Sequence, residues 1–333
     1  EACKPYLLAE IKETRPEFIV AVGGTALAAL TGKRGITTYA GRICGEMEGS
    51  KVFAMIHPSY VLHSPKAAHK FEANLRELKR LSNGGPAKKV PFEVITWAQG
   101  WDRVRESKAK FITYDFETNG RYKGEGGRIR CCSMHVDGKT YVVRNDNAAD
   151  FMQFLEALSK HTLTCGHNTM FERRWMIDLG VPPLFLQYDT MLFDYIWHEE
   201  HPHDLQSVAA YWCEGAAPWK MEVEMKEKEW SWETVPDEVL FPYAAMDSYW
   251  AHKTCEAQLA KFKGVTDNSI LEYYENVLLP TSIMCAKYES RGVAIDPEWI
   301  AKVRGQYLKE MSEHVKGMGQ WAPKDFNPAS PKQ

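Results

Sequence analysis

Three acid-bearing segments in fixed order constrain this 333-residue chain more than any other feature. They are Tyr114-Asp115-Phe116-Glu117-Thr118, His167-Asn168-Thr169-Met170-Phe171-Glu172 and Tyr243-Ala244-Ala245-Met246-Asp247. In a strand the side chains alternate, so Asp115 and Glu117 leave one face. In a helix residues four apart are neighbours, so Asn168 with Glu172, and Tyr243 with Asp247, each share a face. Any one of these patterns is ordinarily a solvated surface. All three together, each in a suitable local structure, predict a fold that gathers four carboxylates and a tyrosine into one site.

Such a site suits hard divalent cations. Oxygen ligands select magnesium or manganese over zinc, and no His/Cys set competes. Two ions roughly 4 Å apart can activate a water and stabilise a leaving oxygen at a phosphodiester. The Tyr243 hydroxyl is suited to orient that water. Among the other acids, Asp189 reads as a helix cap and Asp194 as a surface group. The run from Glu222 to Glu229 reads as a solvated, mobile face.

Composition narrows the setting. Apolar residues make up 44% and charged residues 26%, which is a globular balance. No apolar run reaches ~18 residues, and no basic-then-apolar leader is visible, so neither a membrane partner nor secretion is expected. Eight cysteines are scattered without a C-x-x-C pair, which predicts reduced thiols in a cytoplasmic protein. The net charge of −3 gives no global basic field. Any grip on nucleic acid must come from local basic patches and bound metal.

The length fits two or three domains, and the overall pattern predicts α/β architecture. Residues 1–83 read as an α/β unit. It has a helix over Ala2–Thr14, a buried strand Phe18–Val22 running into Gly23-Gly24, a helix over Ala26–Leu30, and a strand Val52–Ile56 followed by His57-Pro58-Ser59. An amphipathic helix over Lys66–Leu81 sets Phe71, Leu75 and Leu78 on one face, with Lys70, Arg76, Lys79 and Arg80 around the other. Ser82-Asn83-Gly84-Gly85-Pro86 marks a linker.

A second pattern starts at Phe92. Strands are expected over Phe92–Thr96 and Phe111–Phe116. Ile129–Val136 and Thr140–Val143 flank Asp137-Gly138 as a hairpin. A helix over Phe151–Leu158, a strand Thr162–Cys165 and a helix Asn168–Leu179 follow. Leu205 to about Lys263 is mainly helical, interrupted by the charged stretch Glu222–Trp232. From Leu271 the chain is helical again, with Asp296-Pro297 as a cap and first helical residue. The end, from Asp325 to Gln333, reads as extended. No internal repeats are present.

From about Val90 to Lys263 the three segments resemble the motifs of the 3′→5′ exonucleases of the DEDD superfamily, tyrosine branch, which includes the proofreading domain of family A DNA polymerases. The resemblance implies an RNase H-like mixed-sheet domain. In it Asp115, Glu117, Glu172 and Asp247 bind two Mg2+ or Mn2+ ions and Tyr243 positions the water. Thr118, Asn168 and His167 lie at the terminal nucleotide of a single-stranded or frayed DNA 3′ end. Tyr114, Phe116 and Phe171 are stacking candidates, although core packing suits Phe116 and Phe171 better. One departure is Glu172, where the family motif usually ends in aspartate.

Glu275–Gln333 resembles the opening of the polymerase domain of family A, through Leu278-Leu279-Pro280, Glu289-Ser290-Arg291-Gly292-Val293-Ala294-Ile295-Asp296 and Phe326-Asn327-Pro328. This helical segment reads as the truncated start of that domain, implying a polymerase in the parent protein and no DNA synthesis by this chain. Residues 1–83 are similar to the C-terminal part of a family 4-type uracil-DNA glycosylase, through Cys3-Lys4-Pro5-Tyr6-Leu7, Val22-Gly23-Gly24-Thr25-Ala26 and His57-Pro58-Ser59-Tyr60-Val61-Leu62. In that family the His-Pro-Ser loop enters near a flipped base. Cys3 matches one cluster ligand, Cys44 is poorly placed to be another, and an iron–sulfur cluster is not expected. The unit reads as a partial, inactive module that touches DNA through His57 and the Lys66–Arg80 helix. The combination suggests a phage or mobile-element replication protein, working in host cytoplasm if phage-encoded.

Overall fold

A computed structural model describes residues 3–85, 90–120, 124, 126–145, 148–161, 163–181, 187–200, 202–216, 219, 230–262, 269–322 and 327. The acidic run Glu222–Glu229, and most of the segment from Asp325 to Gln333, lie outside them. The fold is mixed α/β, and the chain divides into two compact units, Glu1–Ser290 and Arg291–Gln333.

The first unit opens with α1 (Lys4–Thr14), β1 (Phe18–Val22), α2 (Gly24–Thr31), α3 (Ile36–Tyr39), β2 (Arg42–Met47), β3 (Ser50–Met55), α4 (Pro58–His63) and α5 (Ala68–Ser82). The strands form a sheet in the order β1-β3-β2, with β1 parallel and β2 antiparallel to β3. Strand β2 was not visible in the sequence, because Arg42-Ile43-Cys44-Gly45-Glu46-Met47 alternates weakly and carries a glycine at an irregularity in the pairing. On α5 the inward positions are Asn74 and Glu77, with Phe71 and Leu78 half-buried; Leu75 is exposed. Leu75 therefore leaves the face expected for it. Asn74 is held inside by the Ile56 N–H, which donates to its Oδ1 at 3.3 Å. Glu77 is held inside by the Arg80 guanidinium at 2.6 Å.

The larger sheet has the order β4-β7-β6-β5-β8-β9. Its strands are β4 (Phe92–Thr96), β5 (Ile112–Thr118), β6 (Ile129–Val136), β7 (Lys139–Arg144), β8 (Thr164–Gly166) and β9 (Gln187–Asp189). The β6–β7 hairpin turns at Asp137 and Gly138, with φ of 47° and 75°, the left-handed pair such two-residue turns require. One face carries α6 (Trp97–Glu106), α7 (Ala148–Lys160) and α8 (Met170–Asp178). There Ile112, Tyr114 and Phe116 of β5 join Trp97, Phe154, Leu155 and Trp175 in the main core. Tyr114 is 1% exposed, so it packs against Phe116 and offers no stacking surface to a base. Phe116 is likewise core.

The opposite face of β5 meets α11 (Asp237–Phe262), which follows α9 (Thr190–Trp197) and α10 (Leu205–Trp212). Pro242 lies inside α11, where its missing N–H releases the Glu238 carbonyl. Glu238 is exposed, so water can take the bond. After α12 (Ser269–Tyr273) a π-turn, Tyr274–Leu278, leads into α13 (Leu279–Arg291). Pro280 has no N–H to close a regular turn and its ring crowds the preceding carbonyls, so the helix widens here.

The second unit is dominated by α14 (Pro297–Met318). Asp296 caps it, accepting from the Glu298 and Trp299 N–H groups, with Pro297 at the first helical position as the sequence predicts. No helix among the described residues is long and apolar enough to cross a membrane.

Candidate metal centre

Asp115, Glu117 and Asp247 converge: a carboxylate oxygen of each lies within 4.8 Å of the others. Period-two alternation puts Thr113, Asp115 and Glu117 on the face of β5 opposite Tyr114 and Phe116. Thr113 Oγ1 lies 2.9 Å from His252 Nδ1, which fixes α11 against the strand. Five residues back along α11, about 7.5 Å of rise, comes Asp247. Two to four residues along β5, roughly 7–13 Å, come Asp115 and Glu117. Helix and strand therefore bring their acids level. A bulge between Glu117 and Thr118 ends the regular pairing with β6 just beyond the acids.

Glu172 stands outside the three-acid cluster but lines the same cavity of about 640 Å3, as do Tyr243, Thr118, His167 and Asn168. It is 3% exposed, and its Oε2 has no hydrogen-bond partner among the described residues. Burial, and then the charge of Asp115, push its carboxyl well above the usual carboxylate range. A buried acid with an unpartnered oxygen beside like charges is costly unless it is protonated or a cation joins it. The donor set, oxygen only and anionic, fits a hard divalent ion. Burial, followed by Asp247, Glu117 and Asp115, pushes the Tyr243 phenol well above its ordinary range. The ring therefore keeps its proton and can donate it in a hydrogen bond to Asp247.

The second segment departs from the helical reading. Helix α8 begins at Met170, and Asn168 precedes it with φ of 59°. Asn168 and Glu172 thus share a cavity without sharing a helix face. Asparagine tolerates the left-handed region better than most residues. His167 has both ring nitrogens engaged, Nδ1 with Thr190 Oγ1 and Nε2 with the His203 carbonyl, each at 2.9 Å. Thr118 Oγ1 donates to the Gly120 carbonyl at 2.8 Å. Phe171 lines the cavity, half-buried.

Asp189 caps α9 as expected. Asp194 is not a surface group. It is fully buried, accepting from Trp212 Nε1 at 2.7 Å and pairing with His203 Nδ1 at 2.9 Å. The position faces inward beside Phe193, and two ring donors satisfy it there, which periodicity alone does not reveal. Trp219 was also missed: its indole N–H donates to Asp247. An isolated tryptophan carries no sequence signal for that role.

At the N-terminal sheet, His57 is the exposed N-cap of α4, with Pro58 at the first helical position. Its Nδ1 accepts from the Ser59 N–H at 3.1 Å and lies 2.6 Å from Ser59 Oγ. Gly23, at φ of 87°, lets the backbone approach His57: a Cβ there would meet His57 Cβ at 3.2 Å. Cys3 is exposed, and Cys44 is buried with its thiol pushed up by that burial. A larger groove of about 1060 Å3, lined by Tyr195, Trp197, Tyr211 and Tyr273, also carries Glu72, Glu199 and Glu200; Glu200 is paired with Lys66, and among the described residues the three do not form a metal-type cluster.

Comparison with known proteins places two similarities along the chain. Residues 1–79 match the Uracil DNA glycosylase superfamily. Within that region the type-4 uracil-DNA glycosylase of Thermotoga maritima is 42% identical over 65 residues, 19% of this chain and 34% of its own. The DNA polymerase of Bacillus phage SP01 is 23% identical over 358 residues, 92% of this chain and 38% of its own. That of Escherichia phage T5 is 21% identical over 95% of this chain and 41% of its own. The chain thus spans about two fifths of the length of the phage relatives it matches. Among solved structures, Trypanosoma brucei RNase D in complex with RNA U12 aligns over 65% of this chain and 76% of its own, at 14% identity and a TM-score of 0.49. The chain is similar to phage DNA polymerases over nearly its whole length, and its first 79 residues are similar to uracil-DNA glycosylases.

Proposed function

We propose that this chain is a metal-dependent 3′→5′ exonuclease that releases nucleoside monophosphates from DNA 3′ ends, the proofreading part of a family A phage DNA polymerase. The observation that carries the reading is the convergence of Asp115, Glu117 and Asp247 in a cavity shared with Glu172 and Tyr243. The similarity to phage polymerases supports it. Residues 90–263 form the nuclease part, 1–83 a glycosylase-like unit, and 271–333 the opening of a polymerase domain.

Asp115, Glu117, Glu172 and Asp247 would hold Mg2+ or Mn2+, two ions in the full complement. The metal supplies a more acidic bound water and neutralises charge that develops on the phosphate. The protein's own part is to place and exclude. Tyr243, protonated, orients the attacking water by its hydroxyl. Asn168 and Thr118 contact the terminal nucleotide, and His167, with its ring nitrogens engaged, shapes the wall against that nucleotide. A phosphodiester must leave a duplex to enter the cavity, so single-stranded or frayed ends are the substrates.

The test is release of labelled mononucleotide from a 3′-labelled single strand with Mg2+ or Mn2+. Asp115→Ala and chelator should each abolish it, and release that persists in purified Asp115→Ala would refute the assignment. The position of Glu172 outside the three-acid cluster favours one alternative, a decayed module that only seats DNA. Binding without release in either metal would support it. For residues 1–79, abasic-site formation on a uracil-containing strand would reveal glycosylase activity; with His57 Nδ1 engaged by Ser59, none is expected.

A further inference from the structure

Asp189 has five donors on its carboxylate. Oδ1 accepts from the N–H groups of Asn168 at 3.1 Å, Met191 at 2.9 Å and Leu192 at 3.3 Å. Oδ2 accepts from the N–H and the hydroxyl of Thr169, both at 2.8 Å. The residue is 1% exposed and sits where β9 passes into α9. Three of its bonds reach across to the left-handed turn that launches α8, the helix bearing Glu172. Asn168 takes a φ of 59°, a region asparagine tolerates, and the Asp189 carboxylate holds both its N–H and the next one in that turn. Asp189 is itself clamped. Its N–H donates to the Tyr274 hydroxyl at 2.6 Å, and that hydroxyl faces the Asp189 carbonyl at 3.4 Å. Tyr274 is buried at the start of the π-turn.

We propose that Asp189 is a positioning residue for the candidate metal centre, holding the turn at Asn168 and thereby the aim of Asn168 and Glu172, with Tyr274 as its anchor. The inference rests on the exonuclease reading and deepens it. Asp189→Asn keeps the shape but turns an NH2 toward backbone N–H groups whichever way the amide is oriented, so the turn loses its grip.

The test combines single-strand hydrolysis, Mn2+ titration by electron paramagnetic resonance, and near-UV circular dichroism to confirm folding. In Asp189→Asn, Mn2+ affinity should fall about tenfold or more. Its kcat should fall about 100-fold, as a displacement of ~1 Å at a reacting centre does, with KM for the strand within about threefold of the parent. Tyr274→Phe, which keeps the ring, should show the same pattern more weakly, and it stands in if Asp189→Asn does not fold. Asn168→Gly adopts the left-handed turn without strain. If Asp189 acts through that turn, Asp189→Asn should slow hydrolysis less when added to Asn168→Gly than when added to the parent. Defects that multiply would overturn the proposal, as would parental kcat and Mn2+ affinity in Asp189→Asn and Tyr274→Phe. A wild-type protein silent on DNA with both metals would instead sink the exonuclease reading, leaving Mn2+ affinity to decide the positioning claim.

Discussion

Acid should weaken this fold through two imidazoles buried between the large sheet and α11. His135 and His252 lie with ring centroids 4.3 Å apart. His135 Nδ1 pairs with Thr140 Oγ1 at 2.8 Å and His252 Nδ1 with Thr113 Oγ1 at 2.9 Å. Burial, then Lys253, lower His135 from its ordinary 6.5 to about 4. Burial, then His135 and Lys253, lower His252 to about 3. Glu256, 3.7 Å from His252 Nε2 and itself half-exposed, raises His135 and offsets the lowering only in part. Both folded values lie below the unfolded value, so the unfolded chain binds protons first as pH falls. The stabilisation is complete above pH ~6.5 and is lost progressively below it, at about 1.4 kcal/mol per pH unit for each ring. At pH 5 both rings are still neutral in the fold, and the pair has cost about 4 kcal/mol. The check is urea unfolding at pH 7.5 and pH 5.0, followed by tryptophan fluorescence. Wild type is compared with His135→Asn/His252→Asn, in which each amide oxygen replaces Nδ1. Carboxylates contribute equally to both proteins, so the double variant should lose about 4 kcal/mol less between the two pH values. Equal losses would refute the argument.

Two further predictions follow from contacts at the site and in the main core. Tyr243→Phe removes the hydroxyl but no carboxylate, so nucleotide release should slow by roughly 10–100-fold while Mn2+ affinity holds, read by comparing single-turnover rates with metal titrations. Gly100 lies buried in α6, where a Cβ would meet Val143 Cγ1 at 3.0 Å and Phe154 Cδ2 at 3.1 Å. Gly100→Ala should therefore destabilise by about 1 kcal/mol or more despite alanine's better helix propensity; a raised urea midpoint would contradict it.

Much of the architecture is written in local pattern. The β6–β7 hairpin follows from Asp137-Gly138, α14 from Asp296-Pro297, and the strand-borne acids from their spacing of two. These signals depend on residues close in sequence, and the backbone reads them wherever the segment sits. Strand β2 lacked such a signal, and so did the true start of α8. There Asn168-Thr169 has helix-compatible letters, but a carboxylate from β9 draws the backbone into a left-handed turn. Leu75 left its expected face for the same kind of reason: Asn74 and Glu77 found partners inside, so polar residues took positions that periodicity had given to an apolar one.

The acids that organise the second segment show why a site is only half legible. Asp115, Glu117 and Asp247 are aimed by their own strand and helix, so spacing reveals them. The turn at His167-Asn168-Thr169 is aimed by α9, through residues with no pattern of their own. Asp189 holds Asn168 and Thr169, Thr190 holds one nitrogen of His167, and Asp194 pairs with His203, whose carbonyl holds the other. Alone in sequence, Asp189 is a cap and Asp194 a surface acid; only the fold shows that one helix start braces the turn from both sides. The two sets of acids are therefore held by different contacts, although α9 also packs on the C-terminal half of α11 through Phe193 against Phe262 and through Gln258, whose Nε2 donates to the Thr190 carbonyl at 3.1 Å. Loss of the Asp189 carboxylate alone should disturb Asn168 and Glu172 while leaving the three-acid cluster assembled, whereas loss of the Thr113–His252 contact should loosen Asp247 from β5 and leave the turn intact.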